Sequence, residues 1–83
     1  EQLLFALASY NVGYGHVRDA QQIAENLDLN PQEWITIKEI LPLLRYPEYY
    51  RHTRYGYARG TEPVRYVDRI FTYFDVLRKT GPG

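Results

Sequence analysis

The chain has no cysteine, no long apolar run and no net charge. The absence of cysteine among its 83 residues excludes a disulfide framework and a thiolate zinc site. No run of 18 apolar residues and no signal-peptide pattern occurs, so the sequence predicts neither a membrane span nor a leader. If the parent protein is exported, its signal is expected upstream.

Charge and tyrosine are nevertheless unevenly distributed. Residues 1–44 hold two basic and six acidic residues, whereas residues 45–69 hold six arginines and three acids. Nine residues are tyrosine, whose apolar body and hydrogen-bonding tip suit a half-wet groove. The basic, tyrosine-rich segment alone would fit a nucleic-acid-binding helical domain, with a steep salt dependence. The neutral total argues against that alternative, and we expect no nucleic-acid partner.

The start of the chain predicts a helix that is apolar all round. Residues 3–8 read Leu-Leu-Phe-Ala-Leu-Ala, a pattern typical of a helix inside a larger protein. Glu1 and Gln2 supply no capping residue before it. We therefore expect an excised segment with an uncovered apolar face beside Tyr10 and self-association through that face. An ordinary small domain with a frayed first turn is the alternative.

The next signals define a second helix. The first helix is predicted to end near Asn11, with Gly13 and Gly15 as stop signals. The second is predicted over residues 16–27, with Asp19 on its outer face. Its apolar stripe comprises Val17, Ala20, Ile23, Ala24 and Leu27.

Short helices and a loop are predicted for the middle of the chain. Asn30 as cap and Pro31 at the first position predict a helix over 31–35. A second piece is predicted over 37–44, where Pro42 should kink or shorten it. A short helix is predicted over 47–52, followed by a tyrosine-rich loop over 53–60.

A long helix is predicted to close the chain. Thr61 caps it, and residues 81–83, Gly-Pro-Gly, end it. Its predicted buried stripe comprises Val64, Val67, Ile70, Phe71, Phe74 and Leu77. No strand pattern occurs, so the predicted class is all-α with about five to six helices.

Two sequence motifs carry a family resemblance. Residues 8–13, Ala-Ser-Tyr-Asn-Val-Gly, resemble the Ala-x-Tyr-Asn-x-Gly motif of soluble lytic transglycosylase (goose-lysozyme-like) domains. Residues 62–70, Glu-Pro-Val-Arg-Tyr-Val-Asp-Arg-Ile, resemble their later Glu-x-x-x-Tyr-Val-x-x-Ile helix. Residues 55–60, Tyr-Gly-Tyr-Ala-Arg-Gly, are similar to one branch, the membrane-bound lytic murein transglycosylase F family. The match covers nearly the whole chain.

The resemblance implies the C-terminal portion of a lysozyme-like domain that cleaves peptidoglycan. In that family one glutamic acid protonates the leaving oxygen of the bond between N-acetylmuramic acid and N-acetylglucosamine. It then acts as a base toward the sugar's own 6-hydroxyl. The family's glutamate lies in a Glu-Ser motif that precedes the Tyr-Asn-x-Gly helix, and this chain lacks that motif. We therefore expect no catalytic residue here, inactivity of the chain alone, and the upstream part of the domain as its partner. The family also implies a periplasmic parent, peripheral at the outer membrane.

The resemblance also assigns candidate groove residues. The expected glycan-contacting residues are Tyr10, Asn11, Tyr55, Tyr57, Arg59 and Tyr66. By residue pattern alone, the first two could simply end a helix, Tyr66 could be a core tyrosine, and residues 55–59 could be a solvated loop. His16 and His52 lack a third ligand, so neither a metal site nor a cofactor is expected. A non-catalytic glycan-binding helical module is the alternative function.

Overall fold

The computed structural model describes residues 2–80, and these form an all-α fold without a strand, as predicted. The elements are α1 (Gln2–Val12), α2 (Tyr14–Asn26), α3 (Trp34–Ile40), a 3₁₀ segment (Leu41–Arg45), α4 (Pro47–Tyr50) and α5 (Thr61–Thr80). Glu1 and the predicted helix end at residues 81–83 lie outside the described residues. None of the helices in the described part of the chain combines the length and apolarity that a membrane crossing requires.

A single glycine separates α1 from α2. Gly13 has φ 100°, a left-handed conformation that side chains with a Cβ rarely adopt. Its N–H donates to the Ser9 carbonyl oxygen at 2.8 Å, which closes α1. The prediction of a stop at Gly13 is confirmed. The same prediction for Gly15 is wrong, because Gly15 lies inside α2.

The apolar stripe of α2 faces the core, with one exception. Val17, Ala20 and Ala24 are buried, as the spacing predicted. Leu27 is 55% exposed because α2 ends one residue before it, so its predicted burial is wrong.

Between α2 and α3 the predicted helix over 31–35 is wrong. The Asn30 side-chain oxygen accepts a bond from the Gln32 N–H at 2.9 Å, and its amide donates to Glu33 at 3.0 Å. Asparagine in this position forms a turn rather than a helix cap. The helix begins only at Trp34.

The predicted break near residue 36 is also wrong, because α3 continues to Ile40. Pro42 then shortens it as expected, since proline has no N–H to continue the α-helical ladder. The chain instead forms the 3₁₀ segment. Residues three apart share a side of such a helix, so Leu41 and Leu44 both point inward and are fully buried.

These elements enclose one apolar core. Its members are Ala8, Val17, Ala20, Ala24, Trp34, Ile37, Ile40, Leu41, Leu44, Ala58 and Val67. The 3₁₀ segment lies at its centre, because it contacts α2, α3, α4 and α5. Both α2 and α5 also pack on α1.

The core covers only part of α1 and α5. Ala8 is the single buried residue of α1, and Leu3 is 59% exposed. In α5 the predicted burial of Phe71, Phe74 and Leu77 is wrong, since all three side chains are exposed. The elements that bury Val67 do not reach the outer half of this helix.

Two of these exposed side chains, Leu3 and Phe74, belong to one largely apolar face. A hollow of about 660 Å³ between α1 and α5 is lined by Leu3, Leu7, Tyr66, Arg69, Ile70, Tyr73 and Phe74. Tyr66 also stacks on Tyr10, so the uncovered face beside Tyr10 that the sequence predicted is confirmed. We call it the α1–α5 face.

We expect this face to drive self-association. The weight-average mass of the chain in sedimentation equilibrium should rise with concentration. Phe74→Ser should weaken association about tenfold, because each large apolar side chain contributes about 1.5–3 kcal/mol on burial. Ile35→Ser is the matched control, since Ile35 is 64% exposed on α3, outside the face. Equal effects of the two substitutions would contradict this expectation.

Candidate functional site

The first site residues lie at the end of α1. Tyr10 and Asn11 occupy its last turn, and the Gly13 turn follows at once. Both side chains are exposed, Tyr10 at 84%. The sharp turn directs the chain into α2 and leaves the end of α1 open on one side.

Tyr66 brings the second motif to the same place. Its ring stacks on that of Tyr10, with centroids 6.3 Å apart and planes inclined by 21°. Tyr66 is half-buried on α5, whereas Tyr10 is open to solvent. Two residues 56 positions apart thus form one aromatic surface beside Asn11. Offset stacking of this kind is a favourable aromatic geometry.

In the structure the tyrosine-rich loop spans residues 51–60, because α4 ends at Tyr50 rather than at the predicted residue 52. Asp19 holds this loop against α2. The buried Asp19 carboxylate accepts the N–H of Arg54 at 3.2 Å and of Tyr55 at 3.0 Å. The predicted outer-face position of Asp19 is therefore wrong, because the loop folds over that side of α2. Charge-assisted bonds to two main-chain groups fix the loop backbone.

Further contacts shape the loop. The Thr53 hydroxyl donates to the Tyr50 carbonyl oxygen at 2.8 Å and accepts the Gly56 N–H at 3.0 Å. The Ala58 N–H donates to the Leu44 carbonyl oxygen at 3.2 Å, and the Ala58 side chain enters the core. These hydrogen bonds and the burial of Ala58 make the loop an integral part of the packed fold.

Two tyrosines of this loop occupy different surroundings. The Tyr55 ring lies against Gly15, where a Cβ would meet the ring at 2.8 Å, and edge-on to His16 at 6.4 Å. The Tyr57 ring packs edge-on against Tyr50 at 5.7 Å. Both tyrosines are 52% exposed, so about half of each residue is open to solvent.

Arg59 lies two residues before the start of α5. Its carbonyl oxygen accepts the Glu62 N–H at 3.0 Å, and its side chain is exposed. Within residues 2–80 the Arg59 guanidinium forms no ion pair.

The structure therefore brings together two of the six predicted groove residues, because Tyr10 on α1 stacks on Tyr66 of α5. Asn11 follows Tyr10 in the last turn of α1. In the part of the chain described, no ring contact links the Tyr10–Tyr66 stack to the loop tyrosines.

Sequence reasoning missed the residues that position the loop. The helical spacing puts Asp19 away from the apolar stripe, and no local pattern shows that residues 54 and 55 return to it. Gly15 was assigned as a helix stop, although its missing side chain makes room for the Tyr55 ring.

The two motif helices and the all-α fold around them fit the resemblance to the lytic transglycosylase family, and comparison with known proteins confirms that resemblance. The chain is 65% identical over 78 residues to the membrane-bound lytic murein transglycosylase F of Desulfosudis oleivorans. It is 58% and 56% identical over 77 residues to proteins of the same name from Shewanella woodyi and Shewanella loihica.

These alignments include 93–94% of the chain but only 16–17% of each relative. The chain thus spans about one sixth of the length of the curated relatives it matches. No family model matches the sequence.

Proposed function

We propose that the chain is part of a peptidoglycan lytic transglycosylase and contributes groove surface to it. The observation that carries the proposal is the Tyr10–Tyr66 stack, which joins both family motifs on an exposed surface. The relatives named lytic murein transglycosylase support the same assignment. The proposed substrate is the β-1,4 bond between N-acetylmuramic acid and N-acetylglucosamine.

The proposed reaction needs one carboxyl group from outside this chain. That glutamic acid donates its proton to the leaving glycosidic oxygen, and the C1–O bond breaks. The resulting carboxylate accepts the proton of the 6-hydroxyl, whose oxygen bonds to C1 and forms the 1,6-anhydro ring. The substrate supplies the nucleophile, so the second carboxylate of ordinary glycosidases is not required.

The residues of this chain would bind and orient the glycan. Tyr10 and Asn11 offer an exposed ring and amide, and the Tyr66 hydroxyl would hydrogen-bond the catalytic carboxyl. Tyr55 and Tyr57 offer exposed aromatic side chains for contact with sugars, and Arg59 offers a guanidinium for carboxylates. We also propose that the parent is periplasmic and peripheral at the outer membrane, in line with relatives named membrane-bound.

The isolated 83-residue chain should release no anhydromuropeptides from purified peptidoglycan. The reason is chemical, because none of its residues matches the family's Glu-Ser motif. Mass spectrometry of the soluble products measures this. Anhydro products from a preparation free of contaminating enzyme would contradict the assignment of the acid to another segment. If the complete parent also bound peptidoglycan but released no anhydro product, the non-catalytic glycan-binding module would be favoured.

In the complete parent protein, Tyr66→Phe should lower turnover about tenfold, the effect of losing one hydrogen bond to a charged group. Its melting temperature should change little, since only a hydroxyl is removed from a half-buried ring. Tyr73→Phe is the matched control, because it removes the same group from an exposed position of α5. A lower melting temperature with unchanged turnover per folded molecule would make Tyr66 a structural residue.

A further inference from the structure

A second concave surface lies away from the Tyr10–Tyr66 pair. It is a cleft of about 650 Å³ between α2 and residues 52–55 of the tyrosine-rich loop. Its walls include Tyr14 and Tyr55, and neither Tyr10 nor Tyr66 lines it. The candidate groove residues share only Tyr55 with this cleft.

The cleft carries an excess of positive charge. Arg18 and Arg54 both line it, together with His52 and a single acid, Asp19. Asp19 does not neutralise the arginine side chains, because its two oxygens accept the main-chain N–H groups of Arg54 and Tyr55. Neither guanidinium forms an ion pair within residues 2–80. The guanidinium groups of Arg18 and Arg54 are therefore both available to donate hydrogen bonds to a ligand.

The cleft is also held in shape before any ligand arrives. Asp19 fixes the backbone at residues 54 and 55, and the Arg54 guanidinium carbon lies 5.5 Å from the Tyr55 ring centroid. The Tyr55 ring in turn rests on Gly15 of α2. A wall that is already ordered loses less conformational freedom on binding than a mobile one, which favours affinity.

We propose that this cleft binds a free carboxylate of a peptidoglycan stem peptide. Arg18 and Arg54 would donate to the carboxylate oxygens, the geometry in which guanidinium groups bind most strongly. Tyr14, 67% exposed, and Tyr55 would contact the apolar parts of the peptide. The identity of the ligand rests on the proposed function, whereas the carboxylate chemistry follows from the cleft itself.

Binding can be tested with the complete parent protein and a small probe. Isothermal titration with N-acetyl-L-alanyl-D-glutamate should show saturable binding that weakens as salt is added. The diamide of the same peptide, which lacks both charges, should bind about tenfold more weakly or not at all. This comparison needs no substitution in the protein, so it holds even if a variant folds poorly.

Substitutions then locate the site. Arg18→Gln and Arg54→Gln should each weaken peptide binding about tenfold. Arg65→Gln is the matched control, since Arg65 is an exposed arginine on α5 that does not line the cleft. Far-UV circular dichroism confirms that each variant remains helical.

Three results would overturn the assignment. They are equal binding of peptide and diamide, equal weakening by Arg65→Gln, and displacement of the peptide by inorganic phosphate at comparable affinity. Release of anhydro products by the complete parent tests the proposed function separately. Charge-dependent peptide binding without such products would remove the transglycosylase function and leave the carboxylate site. Anhydro products from the complete parent without charge-dependent peptide binding would support the transglycosylase function and remove the carboxylate site.

Discussion

Replacement of Gly60 by alanine is expected to destabilise the fold more than any other substitution considered for this chain. Gly60 is buried where the tyrosine-rich loop crosses the 3₁₀ segment, and an added Cβ would fall on the carbonyl group of Leu41. The obstacle is main chain, which cannot rotate away as a side chain can. We expect a loss of about 3 kcal/mol or more in the free energy of unfolding, measured by urea denaturation.

Gly56→Ala separates this clash from backbone strain. Gly56 has φ 75°, but an added Cβ would meet nothing within 4 Å. Its replacement should therefore cost only the conformational penalty, about 1–2 kcal/mol. If Gly60→Ala is no more destabilising than Gly56→Ala, the loop does not cross the 3₁₀ segment as closely as described.

Removal of the Asp19 carboxylate is the second large effect expected. Asp19→Ala leaves the N–H groups of Arg54 and Tyr55 without their acceptor, at a buried position of α2. Each unsatisfied group costs about 1–3 kcal/mol, so the variant should lose about 3 kcal/mol. The amides of residues 54 and 55 should also lose protection in hydrogen exchange before those of the core helices do.

Asp68→Ala provides the matched control for Asp19. Asp68 is an exposed acid on α5, and its removal should change the free energy of unfolding by less than about 0.5 kcal/mol. Asp19→Asn should fall between the two, because its amide keeps one acceptor oxygen but presents a donor to the second N–H. Unchanged protection at residues 54 and 55 in Asp19→Ala would show that the carboxylate does not hold the loop.

The helices could largely be predicted from the sequence, because their signals are local. The repeat of Val17, Ala20 and Ala24 gives α2 its buried side, and Gly13 marks its start through a conformation that only glycine adopts easily. Asn30 shows the limit of such signals. The same side chain can cap a helix or close a turn, and the bonds it makes decide between them.

Burial along α5 could not be predicted from its stripe alone. Phe71, Phe74 and Leu77 continue the spacing of Val67, but the stripe states which side of a helix is apolar, not how far its partners extend. The packing elements end near Ile70 in this structure. The sequence therefore shows which side of a helix is apolar, but not how much of that side is covered by other elements.

The candidate site likewise contains residues that the sequence could assign and residues that it could not. Tyr10 and Tyr66 were assigned through family motifs, and their proximity depends on how α1 packs on α5. Asp19 and Gly15 were missed because their partners in the loop lie 35 to 40 residues further along the chain. Contacts over such distances leave no periodic trace in a single sequence.

The pairing of the first helix with the last also sets an order of assembly. The contacts of α2 with α3, and of α3 with the 3₁₀ segment, close short loops, whereas the Tyr10–Tyr66 stack closes one of 56 residues. Loop closure costs more entropy as the loop lengthens, and contacts of high sequence separation slow folding. During synthesis Tyr10 leaves the ribosome before α5 does, so the stack cannot form until α5 has followed. The aromatic surface proposed to meet the glycan is thus expected to be among the last features of this chain to form.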